Sequence, residues 1–191
     1  AVSLSAIPAE WRTGGSGDHH HRKLPTLLML RELESGNAGG NHTVEQAEQF
    51  RVLAWWSSGR SGIAQSDSAP NTIHFASPPA FGGMDGRWTP EDLLLGAIAS
   101  SYTTTFRTLA ENAKFEHTDF QVEVEGVVKN APTGYSFTEI AIRAHLVIPD
   151  ETERSRALKL LNTAKNLCLV SRALAVQQVF EPVVAVAVPI A

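Results

Sequence analysis

The pattern of apolar residues in this chain predicts an α+β domain: short strands, a long buried helix, a β-hairpin, a second helix and a closing strand. Three observations carry that expectation. Apolar and polar residues alternate over 50–56, 121–128 and 136–148, which is strand periodicity. The run 93–109 is apolar or small nearly all round, as in a helix enclosed on every side. After Asp150, Ala157, Leu158, Leu160, Leu161, Ala164, Leu167 and Cys168 recur at helical spacing.

Taken in order, residues 1–42 read as an extension dispensable for folding. They hold six of the fourteen glycines and show no sustained period, with at most one short helix near Leu24 to Leu33. The run Asp18-His19-His20-His21 is read as tail sequence, because adjacent histidines do not converge on one ion. A domain over 43–191 follows. Phe50, Val52, Ala54 and Trp56 share one face of a first strand, and Ser57-Ser58-Gly59-Arg60-Ser61-Gly62 supplies a turn. Thr72-Ile73-His74-Phe75 forms a second short strand. Thr89 is placed as helix N-cap, Pro90 as the first helical residue, and Glu91 and Asp92 complement the helix dipole. Asn130-Ala131-Pro132-Thr133-Gly134 joins the hairpin strands. Asp150 and Glu153 make a capping-box-like pair at the second helix, and Pro182 suits the start or edge position of a last strand over 183–188.

Composition narrows the function classes. With 191 residues, 43% hydrophobic and 19% charged, the chain has the make-up of a soluble globular domain with a real core. A net charge of −4 leaves no basic footprint for nucleic acid. No apolar run approaches the ~20 residues of a membrane span, and no charged-then-apolar leader precedes Leu27 to Leu30, so a cytoplasmic location is expected. A single cysteine, Cys168, excludes an intrachain disulfide and a cysteine-rich metal cage; no cofactor or metal is expected.

Two residues draw the chemistry. Cys168, on the apolar stripe of the second helix, reads as a buried core thiol, since reactivity needs exposure and a positive neighbour. Ser101 lies on the stripe Glu91, Leu94, Ile98, Ser101, Thr105 and reads first as a small residue at a helix contact. A serine hydrolase is the sharper alternative, with His74, His117 or His145 as base. It lacks the Gly-x-Ser-x-Gly elbow, and His145 alternates with Glu139 and Arg143 on a solvated sheet face.

A family resemblance is carried by Phe81-Gly82-Gly83, by the run Thr89-Pro90-Glu91-Asp92-Leu93-Leu94-Leu95-Gly96 to Ser101, and by Asn166-Leu167-Cys168-Leu169-Val170-Ser171-Arg172. These resemble the segments around the two cysteines of the osmotically inducible protein C / organic hydroperoxide resistance family. Ser101 stands eleven residues after Pro90, where the family has its attacking cysteine, and Leu169 replaces the proline after the second. Gly59-Arg60-Ser61-Gly62 resembles the loop carrying the family's arginine. The resemblance implies antiparallel sheets wrapped around two long central helices in an intertwined homodimer, with pockets at the subunit interface. It implies a thiol that attacks an organic hydroperoxide, a second thiol that resolves the sulfenic acid, and an arginine and glutamate that assist. Those roles fall on Ser101, Cys168, Arg60 and Glu91. Glu91 and Ser101 are ten residues apart on one helix, about 15 Å along its axis, so a shared site needs a bridging Arg60 or a partner chain.

The serine decides the expected function. A hydroxyl is not appreciably ionised near neutral pH and cannot climb the sulfenic-acid-to-disulfide ladder. The first expectation is therefore a family member without thiol peroxidase activity, which binds a small hydrophobic or oxidised molecule. A residual peroxidase using Cys168 alone, and a purely structural or interaction protein, are the alternatives.

Overall fold

The computed structural model describes residues 47–187. The 1–42 extension, its histidine run and the possible helix near Leu24 lie outside the described residues. The chain forms two compact units, whose boundary in sequence falls between Arg87 and Trp88.

The first unit is a three-stranded antiparallel sheet, β1 (Val52–Ser58), β2 (Ser61–Ser66) and β3 (Ile73–Ala76), in that spatial order. Trp56 pairs with Gly62 and Gly62 with Phe75, after a bulge between Trp56 and Ser58. The tight turn uses Gly59 at φ 51°, and the Trp56 indole N–H donates to the Gly59 carbonyl at 2.9 Å. Gly62 has no room for a side chain: a Cβ there would lie 2.4 Å from Phe75 Cζ and 2.7 Å from the Trp55 carbonyl oxygen. One expectation is corrected and another is completed. The stretch read as a turn continues into a full strand, β2, whose Ser-Gly-Ile-Ala-Gln-Ser sequence has too few apolar residues to show a period. The shared face of Val52, Ala54 and Trp56 is also the exposed one, whereas Leu53 and Trp55 are half-buried. Alternation shows which residues share a face, not which face is covered.

The second unit is built on α1 (Pro90–Asn112). Thr89 and Asp92 form a reciprocal capping box: the Thr89 hydroxyl accepts from the Asp92 N–H at 3.0 Å, and the Asp92 carboxylate accepts from the Thr89 N–H at 2.9 Å. The helix ends in a Schellman turn. Lys114 takes φ 49°, the Lys114 N–H reaches the Glu111 carbonyl at 3.1 Å and the Phe115 N–H reaches the Ala110 carbonyl at 2.8 Å. Ile98, Tyr102, Phe106 and Ala110, at a spacing of four, are its buried residues. Ser100, Thr104, Arg107 and Glu111 are exposed, so one chain covers a single stripe of α1 and not the whole helix, as its composition had suggested.

The long hairpin β4 (Asp119–Ala131) and β5 (Gly134–Ile148) supplies the floor. Its turn closes on Gly134 at φ 107°. Ile140, Ile142, Ala144, Leu146 and Ile148 point inward and are fully or almost fully buried. The outward face is polar: Arg143 bridges Glu125 and Glu181, each at 2.8 Å. His145 is exposed on this same face, as its alternation with Glu139 and Arg143 indicated. Gly126 lets α1 approach β4, since a Cβ would stand 2.5 Å from Phe137 Cε1 and 3.1 Å from Leu95 Cδ2.

After a 3₁₀ turn (Glu151–Glu153) come α2 (Arg154–Leu167), the short α3 (Leu169–Arg172) and β6 (Gln177–Val186). Asp150 accepts from the Thr152 N–H at 2.7 Å and so caps the 3₁₀ turn, while Glu153 pairs with Arg156 at 3.1 Å instead of reaching back. The capping-box expectation fails because the first turn is 3₁₀, not α. The helices form a crossover, and β6 returns parallel to β5, in the order β4-β5-β6. The strand starts earlier than expected and contains Pro182 opposite Ala144, tolerated because β6 is an edge. The core lies between α1, α2 and this sheet: Tyr102, Phe106, Ile98, Leu161 and Cys168 are buried together with the inner residues of β5. Each large apolar side chain removed from water there contributes about 1.5–3 kcal/mol.

Candidate functional site

Ser101 and Cys168 meet. The Cys168 thiol donates to the Ser101 hydroxyl oxygen at 3.3 Å, although the two residues are 67 positions apart. Ser101 is half-buried in the middle of α1, and its backbone carbonyl accepts the Thr105 hydroxyl at 2.7 Å. Cys168 is fully buried. It does not continue α2: its ψ of 107° breaks the chain between α2 and α3, and its N–H still reaches the Ala164 carbonyl at 2.9 Å.

The backbone around Cys168 is braced by polar contacts that residue spacing did not reveal. Ser171, the one buried polar residue among those described, turns its hydroxyl to the Cys168 carbonyl at 3.3 Å. Gln178 donates to the Ser171 carbonyl at 2.7 Å and accepts from Lys165 at 2.8 Å. Tyr102, next to Ser101, is fully buried and donates to the Leu161 carbonyl at 2.9 Å, with Phe120 and Phe180 against its ring. Burial pushes its phenol well above the usual range, and the neighbouring Cys168 adds to that shift. Ser171 and Gln178 pair across the turn from α3 into β6, and no periodicity in the sequence marks that turn.

Glu91 lies in the first turn of α1, and its buried Oε2 has no hydrogen-bond partner among the described residues. Arg60 belongs to the first unit, where its guanidinium donates to the Phe81 carbonyl and lies beside Gly82, which takes φ 74°. The hydrolase alternative finds no support in this geometry. The side chain facing Ser101 is a thiol, and the Nε2 of His117 is held by Arg107 at 2.9 Å. Among the described residues no group of three or more metal-ligating side chains converges, and no helix is long and apolar enough to cross a membrane.

A three-stranded sheet, a long helix and a crossover that brings Cys168 onto that helix make the arrangement of an OsmC-like protein. Residues 83–181 match the family model described as OsmC-like protein, and the chain belongs to this family. A Bacillus subtilis relative, the uncharacterized protein YmaD, is 27% identical over 128 residues, covering 65% of this chain and 85% of its own. Among solved structures, an OsmC-like protein of unknown function from Vibrio cholerae superposes with a TM-score of 0.64 at 14% identity, over 72% of this chain and 100% of its own. An organic hydroperoxide resistance protein from Elizabethkingia anophelis gives 0.60 at 19% identity, over 75% and 100%. At such identities these structures speak for the fold.

Proposed function

We propose that this chain is a divergent OsmC-like protein, related to organic hydroperoxide detoxification, that does not run a two-thiol peroxidase cycle and instead binds a small hydrophobic or oxidised molecule as a homodimer. The Cys168–Ser101 contact carries this reading. Where two sulfurs would have to meet, one partner is a hydroxyl at 3.3 Å, and the chain holds no second sulfhydryl. A hydroxyl offers neither a nucleophilic anion near neutral pH nor a route to a disulfide. Cys168 on its own is fully enclosed within the chain, and a partner subunit in the same conformation would only cover it further.

The homodimer is supported by surface left open in one chain. Val52, Trp56 and Ile73, on one face of the β1–β3 sheet, are 66%, 60% and 45% exposed. Isolated apolar residues at a surface are ordinary, whereas a contiguous apolar face points to association. The reading is tested by supplying the purified protein with cumene hydroperoxide and a dithiol. Hydroperoxide loss at the uncatalysed rate is expected. Saturable turnover would overturn the proposal in favour of a Cys168 peroxidase.

A further inference from the structure

We infer that Gln178 is a positioning residue for the Cys168 thiol, an inference that rests on reading Ser101 and Cys168 as the site. The thiol sits at a break between two helices, so its direction depends on how α2 and α3 are held together. α3 is four residues long and cannot hold itself as a helix. Gln178, on the neighbouring strand β6, spans the break. Its Oε1 accepts from Lys165 Nζ at 2.8 Å, three residues before Cys168. Its Nε2 donates to the Ser171 carbonyl at 2.7 Å and, more weakly, to the Leu174 carbonyl at 3.5 Å, both after Cys168. Ser171 completes the loop through its hydroxyl to the Cys168 carbonyl at 3.3 Å. A carboxamide suits this place because it accepts from an ammonium at one end and donates to carbonyls at the other. A carboxylate can do only the first.

The chain has a single cysteine, so thiol labelling reports on Cys168 alone. In full-length Gln178→Leu, native-state labelling is expected to rise about fivefold beyond the change in global unfolding measured by urea, the factor one lost net hydrogen bond carries. Gln178→Glu keeps the acceptor for Lys165 but faces the Ser171 carbonyl with oxygen, and should label as fast as the leucine variant. Rescue by glutamate, or labelling that rises only in step with global unfolding, would overturn the assignment. If Gln178→Leu does not fold, Lys165→Met removes only the acceptor-side tether. Excess labelling in that variant supports the clasp, and none refutes it. Because hydroperoxide turnover by the unmodified protein is measured separately, failure here leaves the non-peroxidase reading standing.

Discussion

Ser101→Cys should restore a redox-active pair. The present S···O separation of 3.3 Å must shorten to the roughly 2.05 Å of a disulfide, which a longer C–S bond and a small rotamer change at residue 101 can supply. The hydroperoxide oxidises the introduced thiol to a sulfenic acid, releasing the alcohol. The Cys168 thiol then displaces water to form the disulfide, so two thiols are lost for each hydroperoxide reduced. Closing a loop between residues 67 apart in sequence removes denatured-state entropy worth about 4 kcal/mol on the chain-entropy model. For a chain of this size that raises Tm by about 10–15 °C relative to the reduced variant. The assay counts free thiols in denaturant after hydroperoxide treatment and compares melting with and without reductant. Adding Arg60→Ala should slow the oxidation, read as the rate of thiol loss, and an unchanged rate would show that this cation does not favour the ionised thiol. A folded Ser101→Cys protein that retains both thiols would refute the reasoning and leave only the fold in common with peroxidatic relatives.

Two further outcomes follow from the packing. Sedimentation at micromolar concentration should give a homodimer, because the apolar face of β1–β3 with Val52, Trp56 and Ile73 is open in one chain; a stable folded monomer would contradict this. Gly126→Ala should destabilise the protein by about 1–3 kcal/mol in urea unfolding, since the new methyl lies 2.5 Å from the Phe137 ring and near Leu95; an unchanged midpoint would show that the ring yields without cost.

What the sequence disclosed and what it hid divide along the range of the interactions. The start of α1 was legible because its capping box closes within four residues, Thr89 to Asp92. The hairpin and its inward face were legible because Ile140 to Ile148 alternate strictly. β2 was not, because Ile63 and Ala64 are its only clearly apolar residues and its place is set by pairing on both sides. The helix break at Cys168 was missed for a similar reason. No proline or glycine marks it, and Gln178 braces it from another element by donating to the Ser171 carbonyl. Nothing in the spacing of Ser101 and Cys168 brings them together. Only the family resemblance suggested it, and the crossover of α2 and α3 onto α1 is what places them 3.3 Å apart.

The most direct test of the account is the fate of Cys168 in the unmodified protein after a stoichiometric pulse of organic hydroperoxide, read by intact mass and thiol count. The account predicts an unchanged mass, one free thiol per chain and all of the hydroperoxide recovered. A gain of one oxygen on Cys168, with matching loss of hydroperoxide, would contradict it and establish a single-cysteine peroxidase.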